Sequence, residues 1–215
     1  TPVIAEADVH PECLWAYDAT SALLAALGHE VEDVPAPLPP SVVPLFETVW
    51  SVLSTLAPVE PSKEQLLRPL TRWLRDRGRS ATGNGFALAV VMLQAMARQA
   101  VSDLWAYDAV LTPTLAQPPL PVGAIRDDAD PAGDFEANKR FTPFTAVWNL
   151  TGQPAVSLPV HRTAAGVPVG VMLAGRPAGE AALLALAAQV ETAAGTVWVP
   201  PSGGRPDGGD RPSCW

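Results

Sequence analysis

The sequence predicts an α/β fold, a mixed sheet covered by helices on both faces. Three observations carry that expectation. The second half holds the short, β-branched runs "AVLTPT" (109–114), "PAVSLPV" (154–160) and "VPVGVMLAG" (167–175), each bounded by Gly or Pro, which read as strands. These runs are apolar without clean alternation, the pattern of strands covered on both sides. Helical runs fill the first half, and "EAALLALAAQVETAAG" (180–195) closes the sequence as an amphipathic helix stopped at a glycine.

The elements follow in order. In "HPECLWAYDATSALLAALGHEVEDV" (10–34), Pro11 suits the first helical position, and Leu14, Tyr17, Leu24 and Leu27 repeat at near-helical spacing. Gly28 supplies a left-handed stop, and "HEVEDV" (29–34) reads as a strand. The Pro-rich "PAPLPP" (35–40) is a connector, and the mostly apolar 41–57 a buried helix. Ser62 opens the capping-box pattern "SKEQ", which predicts a helix to about Arg77, strained where Pro69 removes one intrahelical bond. Arg68, Arg72, Arg75, Arg77 and Arg79 form the basic cluster, read as a solvated helix face in preference to a phosphate or carboxylate site.

"GNGFALAVVMLQAMARQAVSDLWAYD" (83–108) predicts a long apolar helix whose methionines fill the core. Residues 116–140 read as a long acidic loop, of a length that suits a functional lid or a disordered segment. The next stretch, "FTPFTAVWNLTGQPAVSLP" (141–159), is polar just ahead of a buried strand. Thr142, Thr145 and Asn149 there either face a pocket or satisfy local backbone groups, and the residues alone leave both open. From residue 200 to 215 the composition is Gly, Pro and charge, a tail that Trp215 could dock.

Composition narrows the function classes. The 215 residues and 48% hydrophobic content suffice for a domain with a core. Fourteen basic against 22 acidic residues, a formal charge of −8, argue against a nucleic-acid partner, whose binding rests on Lys and Arg neutralising phosphates. No apolar run is expected to reach the ~20 residues of a membrane span, and the first residues lack a signal-peptide pattern, so a cytoplasmic location is expected. Cys13 and Cys214 are too few for a disulfide framework, and His10, His29 and His161 have no ligand spacing, so neither metal nor other cofactor is expected.

The ordered series "AYDAVLTPTLAQPPLPVG", "FTPFTAVWNLTGQPAVSLPV" and "GVPVGVMLAGRPAGEAALLALAAQVE" resembles the C-terminal part of the amidase signature family, and 10–34 resembles a helix–strand unit midway through the same enzymes. The resemblance covers about residues 1–199. It implies a C-terminal portion of an amidase domain, with a large mixed sheet wrapped by helices and hydrolysis of carbon–nitrogen bonds. It also implies a substrate pocket touched by Thr142, Thr145, Trp148 and Asn149. Glutamine-using relatives of the family place an aspartate where Thr142 stands, so a small neutral amide is the expected partner.

The family's reacting groups are a nucleophilic serine, a second serine and a lysine base on a segment upstream. This sequence has no adjacent serine pair, its Gly-Gly pairs lie in the tail, and Lys63 and Lys139 are its two lysines. No catalytic residue is therefore expected in it, and it is expected to be inactive alone. Two other readings stand beside that one. Thr1 could act as an N-terminal nucleophile with its own amine as base, although Pro2 follows it. Alternatively the chain is a non-catalytic module that binds or self-associates, a homo-oligomer formed through an uncovered sheet.

Overall fold

The computed structural model describes residues 7–195. Thr1 and the tail expected at 200–215, with Cys214 and Trp215, lie outside them. Helix α1 (Pro11–Ala26) starts as the sequence dictates, with Pro11 at its first position and His10 Nδ1 accepting the Glu12 N–H at 3.2 Å. It ends at Gly28, whose φ of +94° is the left-handed stop. The following residues 29–34 join no ladder, so the strand expected there is absent among the described residues. They are mostly exposed, and β1 pairs on one side only.

Helix α2 (Val42–Leu53) was expected to be buried, yet only Val42 and Ser51 are, while Trp50 and Leu53 are about half exposed. The helix expected from Ser62 to Arg77 is two elements. Residues Pro61–Leu66 form a 3-10 turn, and α3 (Pro69–Ser80) begins at Pro69 itself. Proline lacks an N–H and has a helical φ, so it strains a helix interior but suits a helix start, and the chain takes the second option. Helix α4 (Gly83–Asp103) is capped by Thr82 Oγ1, which accepts the Gly85 N–H at 3.1 Å. Contrary to the sequence expectation, its 21 residues are long and apolar enough to cross a membrane. One stripe, Ala89, Leu93, Ala97 and Ala100, is buried, while Met92, expected to fill the core, is exposed.

Strand β1 (Ala109–Pro113) is followed by a loop that ends ten residues earlier than its composition suggests. Helix α5 (Pro131–Phe141) starts at Pro131, and Asp130 Oδ1 accepts the Gly133 N–H at 3.0 Å. Helix α6 (Ala146–Thr151) ends at Gly152, φ +70°. Strands β2 (Ala155–Arg162) and β3 (Pro168–Gly175) form a hairpin, and α7 (Glu180–Ala194) closes the described chain.

The sheet order is β1-β3-β2, with both pairings antiparallel. Pro159 sits where the β2 register slips between Leu158 and His161, on an edge strand where a missing N–H costs no ladder bond. Central β3 alternates its side chains between two layers. Val169, Val171 and Leu173 join Cys13, Ala16 and Leu24 of α1 and Leu183, Ala187 and Val190 of α7 in one core. Met172 and Ala174 face the other core, with Leu93 and Ala100 of α4 and Val147 and Trp148 of α6. Each fully buried Val or Leu contributes about 1.5–3 kcal/mol. The three-layer arrangement expected from the unalternating strands is the one observed. Beyond α4 and α6, helices α2, α3 and α5 pack as an outer group.

Candidate active-site pocket

The outer helices enclose a pocket of about 260 Å³ with α6. Its walls are Val42, Phe46 and Trp50 of α2, Leu70 and Leu74 of α3, and Phe135 of α5. Local sequence explains the mouth. Pro143 cannot continue α5, so the chain breaks at Thr142 and restarts as α6 after Thr145. That break puts Thr142, Thr145 and Asn149 at a spacing of three and four residues, on one side, and all three line the pocket. Trp148 turns the other way. It is 5% exposed within the core beside Val147, and its indole Nε1 is buried without a hydrogen-bond partner.

Both threonine hydroxyls donate to local carbonyls, Thr142 Oγ1 to Asn138 O at 3.0 Å and Thr145 Oγ1 to Thr142 O at 3.4 Å. The two readings left open by the sequence are thus compatible. Each hydroxyl spends its proton on the backbone and keeps lone pairs that can accept from a ligand. Asn149 is exposed and its carboxamide offers both a donor and an acceptor.

Among the described residues that line the pocket there is no carboxylate, and the single cation is Lys139. Its ammonium is held by Glu47, and by Glu136 at 2.6 Å. Burial opposes the charge, but the hydrogen bonds that Lys139 donates to Glu136 and Glu47 outweigh it and leave the Lys139 pKa above its ordinary value. A lysine base must be neutral to take a proton, so Lys139 is unsuited to that role. Lys63 is exposed and paired with Glu60 at 3.0 Å.

Within the arginine cluster Arg72 is exposed and Arg68, Arg77 and Arg79 are half exposed, as a solvated face requires, while Arg75 departs from it. Arg75 is 4% exposed, donates to Ser54 O at 2.6 Å and Ala57 O at 3.1 Å, and pairs with Glu64 at 2.7 Å. Arg68 pairs with the buried Asp134 at 3.0 Å, Arg77 with Glu47 at 3.3 Å, and Arg79 with Asp76 at 2.9 Å. Arg77–Glu47 binds α3 to α2 and Arg68–Asp134 binds the start of α3 to α5, and these two pairs shape the pocket. Of the histidines, His10 caps α1, His29 Nε2 meets Gln189 Oε1 at 2.9 Å, and His161 packs tilted against Trp15 with ring centroids 4.5 Å apart. No group of three metal-ligating side chains occurs among the described residues.

Sequence reasoning missed the apolar walls. Phe46 and Trp50, four residues apart on α2, were a usable signal, but only the packing of α3 and α5 reveals that they line a pocket.

Comparison with known proteins gives a consistent picture. The sequence matches the family described as Amidase over residues 3–184. It is 36% identical over 183 residues to the putative amidase AmiC of Mycobacterium tuberculosis, covering 80% of this chain and 38% of that protein. It is 32% identical over 201 residues to the 6-aminohexanoate-cyclic-dimer hydrolase of a Pseudomonas species, covering 85% and 40%. A solved structure of 6-aminohexanoate cyclic dimer hydrolase superposes with a TM-score of 0.79 at 25% identity, covering 93% of this chain and 44% of that one. The chain thus spans about two fifths of the curated relatives it matches.

Proposed function

This chain belongs to the amidase family, and we propose that it is the C-terminal part of an amide hydrolase that supplies the substrate pocket, the reacting serines and lysine lying on polypeptide outside it. The observation that carries this reading is the carboxylate-free apolar pocket with Thr142, Thr145 and Asn149 at its mouth. An apolar body with a few convergent polar groups is the usual make-up of a small-molecule site. Its walls suit the hydrocarbon part of an amide, and its mouth suits the amide's own N–H and C=O. Trp148 serves from behind, anchoring α6 in the core. Thr142, in place of an aspartate, favours a neutral amide over glutamine.

The chain alone is silent in this reading. Lys63 and Lys139 are both ion-paired, and a serine nucleophile needs a base within hydrogen-bond reach. The test is an assay of the purified chain on simple aliphatic and aryl amides, with and without a serine-directed inhibitor. Inhibitor-sensitive turnover refutes the reading. Binding is tested separately with benzamide by saturation-transfer NMR. A cavity of about 150 Å³ already holds benzene, so benzamide should bind, and Ala146→Phe, which fills the pocket from α6, should abolish it.

One observation favours the self-association reading as well. Leu88, Val91 and Met92 lie on one face of α4 and are exposed, an apolar stripe of the kind that marks an interface. A compact monomer by sedimentation at micromolar concentration eliminates that reading.

A further inference from the structure

The pocket between α2, α3, α5 and α6 is walled by a connected series of aromatic rings. Phe46 and Trp50, one turn apart on α2, meet edge to face with centroids 5.1 Å apart and planes at 64°. Trp50 meets Phe135 of α5 at 6.3 Å and 69°, and Phe135 meets Trp73 of α3 at 5.7 Å. Edge-to-face contact is the arrangement that aromatic quadrupoles favour, so each ring holds the next in place. Phe46, Trp50 and Phe135 line the pocket, and Trp73 supports Phe135 from outside it.

Cations fix one end of the series. Lys139 Nζ lies 5.2 Å from the Phe135 centroid, and the Arg77 guanidinium lies 4.7 Å from that of Trp73. Glu47 binds both cations and so ties them to α2. Phe135 is 5% exposed, whereas Trp50 is 46% exposed and Phe46 half-buried. Phe46 and Trp50 are therefore the rings with surface left for a ligand, on a wall whose shape is set before the ligand arrives.

We propose that this wall makes the pocket selective for an aryl group, so that the substrate class is a neutral aryl-bearing amide and Phe46 and Trp50 are its specificity-determining residues. The inference rests on reading this pocket as the substrate site. A flat ring presents an electropositive edge to the face of a wall ring, and a contact of this kind adds roughly two- to tenfold in affinity beyond the area it buries. A fixed wall also favours a rigid occupant, because a flexible alkyl chain loses rotamer freedom on binding. Charge favours a neutral one. Among the described residues no carboxylate lines the pocket to hold an ammonium, and Lys139 is already held by Glu47 and Glu136.

The test measures dissociation constants of this chain for benzamide and for cyclohexanecarboxamide by ligand-observed NMR titration. The two share a carbon skeleton, and burial of apolar area alone favours the saturated ring. Benzamide should nevertheless bind about tenfold tighter. Trp50→Leu and Phe46→Leu each keep an apolar wall and remove one ring, so each should weaken benzamide by about threefold or more and leave cyclohexanecarboxamide within about twofold. Cyclohexanecarboxamide binding as tightly as benzamide, or tighter, overturns the aryl class and leaves the pocket reading standing. Variants that leave the ratio of the two constants unchanged give the rings a merely structural role and overturn the assignment of Phe46 and Trp50. Benzamidine binding tighter than benzamide marks a cation site and overturns the neutral class. Binding of neither amide at about 10 mM overturns the pocket reading and the proposal with it.

Discussion

Gly78 sits where α3 crosses α2, and Gly78→Ala separates two physical effects of opposite sign. Helix propensity alone favours alanine by about 1 kcal/mol inside a helix. The crossing opposes it, because a Cβ there would lie 2.1 Å from Ser51 O and 2.8 Å from Thr55 Cγ2. The first of these is backbone and cannot rotate aside, so α3 must withdraw by roughly 1 Å, far more than a packed interface absorbs without loss. Overpacking of this kind costs up to about 3 kcal/mol, which leaves a net destabilisation of about 2 kcal/mol. In a domain of this size that lowers the thermal midpoint by about 4–8 °C. Urea denaturation should show a lower midpoint with an unchanged slope. Benzamide should also bind more weakly, since Leu70 and Leu74 part from Val42 and Phe46 across the pocket. A variant that gains about 1 kcal/mol, as propensity alone requires, refutes the crossing argument.

Three further outcomes are expected. Asp134 is 1% exposed and accepts from Arg68 Nη2 at 3.0 Å and Asn138 Nδ2 at 2.7 Å, so Asp134→Ala should cost about 2–3 kcal/mol in chemical denaturation, and a loss below about 0.5 kcal/mol contradicts that role. The hydrogen bond from Arg75, with help from Arg79, holds the Glu64 carboxyl below its ordinary 4.5. A depressed folded pKa gives stability that is present above 4.5 and is lost as pH falls through the lower folded value. The wild-type midpoint should therefore drop with acid more steeply than that of Glu64→Gln, and parallel curves dismiss the ion pair as a contributor. Burial, with a smaller push from Glu12, raises the Cys13 thiol above its usual pKa. In a Cys214→Ser background its reaction with a disulfide reagent at pH 8 should follow the unfolding rate, and completion within seconds in native buffer contradicts the burial.

Local signals were legible where one short stretch decided the outcome. Pro11 and Gly28 bound α1, and the three apolar runs became β1, β2 and β3 close to their expected limits. The same signal was present and unread at Asp130-Pro131, a cap residue followed by a first-turn proline, with Lys139 and Arg140 in the last turn. Acidic, Gly- and Pro-rich composition around it hid a helix that its ends announce. At Ser62 the error ran the other way. The capping-box residues are there, but Gln65 Nε2 donates to Ser62 O within a 3-10 turn, because Pro69, seven residues after Ser62, claims the start of the real helix.

The candidate site was half legible for a reason that concerns distance along the chain. Thr142, Thr145 and Asn149 belong to one short stretch, and their common side follows from its spacing. The walls do not, since they depend on how α2, α3 and α5 meet. That meeting is fixed by a glycine at the crossing and by charges remote in sequence: Arg68 with Asp134, 66 residues apart, and Arg77 with Glu47, 30 apart. A row of arginines on one helix reads as a solvated face until its carboxylates are located, and here all but Asp76 lie on neighbouring elements. Arg75 takes this furthest. With its guanidinium buried against Glu64 and the carbonyls of Ser54 and Ala57, it ties the end of α2 to α3, and a residue that looks like surface charge in the sequence becomes a fixed point of the pocket.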